Sequence, residues 1–265
     1  MAYPKHVEKE LAKKEKRYET DQLMKEKRSE DMQVWEEVFD RTTLMIIYDF
    51  MNRGVIDEIH GVVRSGKEAR VYWGKDKKGK ELAIKIYLTV SSEFRKGIVK
   101  YIEGDPRFRD HKHDTRSLIY AWTQKEYKNL ELAVAAGVKV PKPIAVRDNV
   151  LVMEFIGENG DVAPTLKEKT PEDLDTVYNV VLVYVRKLYQ KAHLVHGDLS
   201  EYNIMMYKER PVLFDMSQAV LNVHPNAEFL LRRDITNLNK YFRRLGVEVL
   251  SEDETYRRIT RSGTS

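Results

Sequence analysis

The sequence predicts an α+β chain in which a five-stranded antiparallel sheet with one helix precedes a mainly helical half. Three observations lead there. Short runs rich in β-branched and aromatic residues, each bounded by turn residues, fill positions 59–87 and 144–155. Apolar residues at helical spacing dominate 118–136, 171–193 and 227–245. The stretch from Gly157 to Pro164 interrupts both patterns, so two lobes with a cleft between them are expected.

The elements follow in order. Up to Glu30 the chain mixes both signs of charge densely, as in Lys13-Lys14-Glu15-Lys16-Arg17, which suits a solvated helix or tail better than a nucleic-acid arm. From Asp31 to Asn52, Trp35, Val38, Phe39, Leu44, Ile47 and Phe50 recur at helical spacing, and Gly54 suits a C-terminal cap. Ile59–Val63, Ala69–Gly74 and Glu81–Tyr87 read as a three-stranded meander with turns at Ser65-Gly66-Lys67 and Asp76-Lys77-Lys78-Gly79. A polar, weakly periodic stretch with Gly97, Gly104 and Asp105-Pro106 predicts a mobile loop over about 89–116. Leu118–Ala136 is then helical and closed by Gly137. Ile144–Val146 and Val150–Phe155 form two more strands about an Asp148-Asn149 turn. Pro171 suits the first turn of a helix reaching His193, and Ala227–Leu245 is helical again. The expected divisions are a charged helical segment at 1–52, a first lobe at 53–157 and a second lobe at 158–265.

Composition narrows the classes. The 265 residues allow ample core, and a net charge of +4 does not mark a generally basic protein. With no cysteine, disulfides and thiolate zinc sites are excluded. No apolar run suits a signal peptide or spans a bilayer, so a cytoplasmic protein without a membrane partner is expected. Arg232-Arg233 and Arg243-Arg244 remain local candidates for phosphate contact.

Chemistry concentrates at His196-Gly197-Asp198-Leu199-Ser200-Glu201-Tyr202-Asn203. This reads H-x-D-L-x-x-x-N, the catalytic-loop pattern of protein kinases with one position changed. In that chemistry the Asp accepts the acceptor's hydroxyl proton and the Asn holds a metal ion beside the phosphates. Alone, an Asp and an Asn five residues apart also suit an ordinary turn. Downstream, the apolar run Val212-Leu213-Phe214 ends in Asp215, a second candidate metal ligand after a short hairpin. Gly61 to Glu68 matches the start of a Walker A loop, yet Glu68 replaces the metal-binding hydroxyl and a strand, not a helix, should follow. A hairpin over ATP fits better, with backbone N–H groups around Ser65 and Gly66 reaching phosphate. Ala83-Ile84-Lys85-Ile86 resembles the V-A-I-K strand, and a lysine there needs a buried partner. Glu126 is the candidate, with Glu131 the competitor. Leu151 to Gly157 would form the adenine-binding edge, through backbone groups near Glu154 and Ile156 with Met153 against the ring.

Taken together, the chain resembles the RIO-type atypical protein kinases, first subfamily, in a short archaeal-type form. The resemblance rests on Ser65-Gly66-Lys67-Glu68-Ala69, on Leu194 to Asn203, and on Phe214-Asp215-Met216-Ser217-Gln218-Ala219-Val220 followed by His224-Pro225. It covers about residues 40–250. It implies a trimmed two-lobed kinase-like fold lacking the lobe that binds peptide substrates: Gly197 replaces the usual Arg, and no A-P-E motif follows Asp215. It also implies ATP and Mg²⁺ as cofactors, with Mn²⁺ as a substitute. Serine autophosphorylation, ATPase turnover and a role in maturation of the small ribosomal subunit are implied too, with rRNA as a candidate contact. Arg64-Ser65 departs from the usual Ser-Thr at the start of the phosphate loop. The expected assignment makes Asp198 the base, Asn203 and Asp215 the metal ligands, and Lys85 the phosphate holder aimed by Glu126. Ser65, Gly66, Lys67 and Glu68 cover the phosphates. Ser91, Ser92 and Ser117 are candidate autophosphorylation sites. Two alternatives stand beside this: a non-catalytic or very slow ATP-binding assembly factor, and a small-molecule kinase of the aminoglycoside type. The latter should carry a larger helical half than follows Asp215 here.

Overall fold

The computed structural model describes residues 39–88, 97–98, 101–108 and 114–261. The chain divides into two compact units, residues 1–49 and 50–265. Of the first unit, the described part is mostly one helix, α1 (Arg41–Asn52), which ends in the second unit. Asp40 caps it, accepting from Thr42 N at 3.0 Å and from Thr43 Oγ1 at 2.8 Å. The helical expectation from Asp31 to Val38 lies outside the described residues.

The second unit begins with a sheet of β1 (Glu58–Ser65), β2 (Ala69–Lys75), β3 (Glu81–Tyr87), β4 (Pro143–Arg147) and β5 (Val150–Glu154). Their spatial order is β1-β2-β3-β5-β4, antiparallel throughout. β3 is central and its residues after Glu81 are all buried, hence its nearly continuous run of apolar residues. Lys85 is the exception in that run, opposite Val71 on one side and Leu151 on the other.

The long helix α2 (Thr115–Ala135) lies against β4 and β5, with Trp122 and Ile119 fully buried in the main core. Asp114 caps it by accepting from Ser117 N at 3.0 Å. Ahead of it, the expected loop over 89–116 needs correction where it is described. Tyr101 and Phe108 are buried in the core, Asp105 is 3 % exposed, and Pro106–Phe108 makes a 3-10 turn. Aromatic anchors override the polar composition of the stretch. Ser91 and Ser92 lie outside the described residues.

Between sheet and helices sits a small hairpin, β6 (Gly157–Glu158) and β7 (Asp161–Val162). A Cβ at Gly157 would collide with the Asp161 carbonyl, so only glycine fits there. The hairpin is fastened to the sheet: Glu81 accepts from both Trp73 Nε1 at 3.0 Å and Gly160 N at 2.9 Å. Ala163 N donates to Ile156 O at 2.9 Å, whereas the next residue, Pro164, accepts from Met206 N at 2.8 Å.

The helical side contains α3 (Leu174–Gln190), β8 (Leu194–Val195) paired with β11 (Val220–Leu221), the hairpin β9 (Ile204–Tyr207) and β10 (Arg210–Leu213), α4 (Ala227–Arg244) and α5 (Glu252–Thr260). The first of these starts later than Pro171 suggests, because Asp173 takes the cap and accepts from Thr176 N at 2.9 Å. α5, packed on α3 and α4, has no counterpart in the sequence reading; Ser251 caps it and Thr255 and Ile259 are its buried side. No described helix is long and apolar enough to cross a membrane.

Candidate active site

A cavity of about 390 Å³ opens between the sheet and the helical side. The β1–β2 turn contributes Ser65, Gly66, Lys67 and Glu68 to its lining, and β5 with the residues after it contributes Met153, Glu154 and Ile156. A strand follows the turn, as the rejection of a Walker loop requires, and Gly66 N donates to Ala69 O at 3.0 Å. Arg64, beside this turn, lies over the Phe214 ring at 5.0 Å. At the adenine-edge positions, Glu154 N already donates to Lys142 O at 2.8 Å and Ile156 O accepts from Ala163 N at 2.9 Å. These bonds occupy the Glu154 amide and one lone pair of the Ile156 carbonyl.

On the cavity wall three elements meet. Lys85 Nζ donates to Glu126 Oε1 at 2.8 Å and to Asp215 Oδ1 at 3.0 Å. Glu131, the competitor, instead pairs on the surface with Lys128 at 2.7 Å. Burial would depress Lys85, but Asp215 and Glu126 outweigh it and hold the ammonium well above its ordinary value. Burial pushes the Glu126 carboxyl up, opposed by the Lys85 charge and by hydrogen bonds from Lys85 and from the Tyr87 hydroxyl at 2.5 Å. Tyr87 escaped the sequence reading. Its signal was present, since residues two apart on a strand share a face. Burial works against ionised Asp215, yet the charge and hydrogen bond of Lys85 and the Ser217 hydroxyl at 2.8 Å bring it down to about 2. Glu68, half-buried across the cavity, is pushed up by burial and then by Asp215.

The catalytic-loop pattern folds as a compact unit beside this wall. Asn203 Nδ2 donates to Asp198 O at 2.7 Å and to Asp198 Oδ2 at 3.1 Å. Two further bonds tie the loop to the residue before Asp215: Phe214 N donates to Asn203 O, and His196 Nε2 to Phe214 O, both at 3.1 Å. Burial lowers His196, keeping it neutral with Nε2–H as donor. Burial pushes the Asp198 carboxyl up, with Asp215 adding in the same direction. Beneath the loop, fully buried Asp234 accepts from Gly197 N at 2.8 Å and Leu199 N at 2.9 Å, while Arg233 donates to Gly197 O. Burial takes Asp234 up to about 7 despite those donors. Nothing local marked Asp234, and Arg233, singled out in the sequence as a candidate phosphate contact, instead donates to the loop backbone; both lie thirty or more residues downstream of the loop.

Asn203 and Asp215 offer hard oxygen donors. Among the described residues no hydrogen bond ends on Asn203 Oδ1 or Asp215 Oδ2. That donor set suits Mg²⁺, which takes oxygen ligands and is bound by one or two protein groups plus substrate phosphates. Among the described residues no cluster of three or more His, Cys, Asp or Glu side chains is grouped to hold a metal without such help.

Comparison with known proteins gives the family and the fold. A family model described as RIO1, RIO domain, matches residues 70–255. The RIO-type serine/threonine-protein kinase Rio1 of Haloferax volcanii is 44 % identical over 89 % of this chain and 81 % of its own length. Its counterpart from Methanocaldococcus jannaschii is 41 % identical over 96 % of this chain and 86 % of its own. Among solved structures, the Rio2 kinase–ADP/Mg²⁺–phosphoaspartate complex from Chaetomium thermophilum shares the fold with a TM-score of 0.63 at 23 % identity, over 83 % of this chain and 67 % of that one. The α+β kinase-like fold, the family match over residues 70–255 and the two relatives matched over more than four fifths of their own length lead to one conclusion: this chain belongs to the RIO family of serine/threonine-protein kinases and is an enzyme of that class.

Proposed function

We propose that the chain transfers the γ-phosphoryl group of ATP to serine hydroxyls, its own among them, and to water. The observation that carries this reading is the Lys85–Glu126–Asp215 triangle on the wall of a cavity beside the Asp198–Asn203 loop. Lys85, kept charged, holds the α- and β-phosphates; Glu126, itself fixed by Tyr87, keeps it aimed. Asn203 and Asp215 hold Mg²⁺ (or Mn²⁺ in its place), which would neutralise charge developing on the phosphates. Asp198 accepts the proton of the attacking hydroxyl, and its raised carboxyl makes it a better base than an exposed Asp. Ser65, Gly66 and Lys67 cover the phosphates, and Ile156 N with Glu154 O read the adenine edge beside Met153. Residues 53–157 and 158–265 are then the two lobes that close on the nucleotide.

Ser91, Ser92 and Ser117 are the autophosphorylation candidates within this reading. The role in maturation of the small ribosomal subunit, with rRNA contact and a cytoplasmic location, is supported by the family resemblance. The test is a paired assay with radiolabelled ATP and Mg²⁺, following phosphate release and label on the protein. Asp198→Ala should lose about 10²–10⁴-fold of either activity. A variant that turns over ATP like the parent would overturn the assignment. Adding small ribosomal particles tests the partner: stimulation is expected, and none would remove it.

A further inference from the structure

The turn that carries Asp215 is held from outside. After Asp215 the chain makes one 3-10 turn, Met216–Gln218, closed by Ala219 N donating to Met216 O at 3.2 Å. Asp215 itself takes φ 59° and ψ 63°, a left-handed backbone that costs a residue with a Cβ free energy, less for Asp than for most, and that its surroundings support. Those surroundings are on α2. Lys125 Nζ donates to Ser217 O at 2.7 Å, and Asn129 Nδ2 donates to Met216 O at 2.8 Å and Ala219 O at 3.0 Å. Three carbonyls of the turn are thus satisfied by two side chains that are 3 % and 0 % exposed. Placing an ammonium there is costly without compensation. The Ser217 carbonyl and the Trp122 ring, 4.4 Å from Nζ, provide part of it, and burial, with Arg107 nearby, still takes the amine down to about 7; charged or neutral, it donates to the carbonyl. Packing alone would be served by a methionine.

The clamp has its own support. Asn129 Oδ1 accepts from Arg107 Nη1 at 2.7 Å, which orients the amide so that both its hydrogens face the turn. Arg107 is in turn forked onto buried Asp105, and Tyr101 donates to Gln218.

We propose that Lys125 and Asn129 are positioning residues: by fixing the backbone of Met216–Ala219 they hold Asp215 in its left-handed conformation and so set the affinity of the site for its divalent metal. The proposal rests on the reading of Asp215 as a metal ligand, and the two separate in the test. Hydrogen–deuterium exchange over Phe214–Leu221 reads the turn without metal. Electron paramagnetic resonance of Mn²⁺ titrated into the ADP-bound protein reads the metal. Lys125→Met and Asn129→Leu should speed exchange at Ala219 and weaken Mn²⁺ binding by about tenfold or more. ADP binding without metal should stay as in the parent. Lys125→Arg, which keeps a donor, should restore most of the metal affinity. Thr123→Val removes a buried bond of the same helix, Thr123 Oγ1 to Ile119 O at 2.8 Å, without touching the turn, and should move neither readout. Should Asn129→Leu not fold, Lys125→Met carries the test. Parent-like exchange and metal affinity in a folded Lys125→Met, or an equal shift in Thr123→Val, overturns the clamp. Faster exchange in the variants of a protein that binds no Mn²⁺ with ADP would instead remove the metal reading of Asp215 and, with it, the metal half of the proposal.

Discussion

The catalytic loop and the Lys85–Glu126–Asp215 triangle lie side by side and are built in opposite ways. The loop is contiguous: eight residues from His196 to Asn203 fold on themselves and rest their backbone amides on Asp234. The triangle joins a strand, a helix and a turn that are 41 and 130 residues apart along the chain. The loop's functional side chains, Asp198 and Asn203, are half-buried, whereas Lys85 and Glu126 are 8 % and 1 % exposed. In the loop, function and stability fall on different residues. In the triangle they fall on the same ones at Lys85 and Glu126, while Asp215 is half-buried like the loop's side chains.

Lys85→Met breaks that comparison hardest. It leaves Glu126 as a buried carboxylate without its counter-charge, so unfolding should become easier by about 3–5 kcal/mol, in addition to loss of turnover. Equilibrium denaturation checks this, and a parent-like midpoint would show that the triangle has no structural role. Asp234→Asn attacks the loop from below. One of the two amides, Gly197 N or Leu199 N, loses its acceptor, at a cost of about 1–3 kcal/mol. Turnover should fall through a misplaced Asp198 while nucleotide binding holds; a loss of binding instead would mean that loop and triangle are not separable. Gly197→Ala is milder. Gly197 has φ 77° and a Cβ there would stand 3.0 Å from Gln218 O. Thermal unfolding should report a loss of about 1–2 kcal/mol.

The smallest effect is one of pH. Burial and Asp215 raise the Asp198 carboxyl, so in the folded protein it protonates at higher pH than an ordinary Asp. The carboxylate is lost as pH falls through that raised value. The acid limb of kcat/KM should therefore lie above 3.8, the ordinary Asp value, and a limb at or below it would deny Asp198 the role of base.

The same contrast explains what the sequence disclosed. Asp198, Asn203 and Asp215 stand in short patterns whose spacing is itself the signal. Lys85 was visible because a charge in the central strand's apolar run needs an explanation, and Glu126 because the helix had to supply one. Lys125, Asn129 and Asp234 donate to or accept from backbone groups of distant segments. A backbone carbonyl or amide is the same whatever the residue, so such a bond imposes no pattern at its far end. The five strands were legible from short runs of β-branched and aromatic residues and the turn residues that bound them. α5 was not, because among its nine residues only Thr255 and Ile259 are buried, too few for a period to show. Tyr101 and Phe108 sat in polar company, and burial of two aromatics anchored a stretch that composition assigned to a loop.

The crossing at Ala163–Pro164 has a mechanical consequence. Ala163 is bonded to the sheet side through Ile156 O, and Pro164 to the helical side through Met206 N. Two neighbouring residues are therefore held by opposite sides of the cavity, and the ring of Pro164 removes one of the rotations through which they could drift apart. The bonds from Lys125 and Asn129 to Met216–Ala219 cross the same divide, so the two sides are fastened at separate places and Lys85 is kept in register with Asp215 by more than one tie.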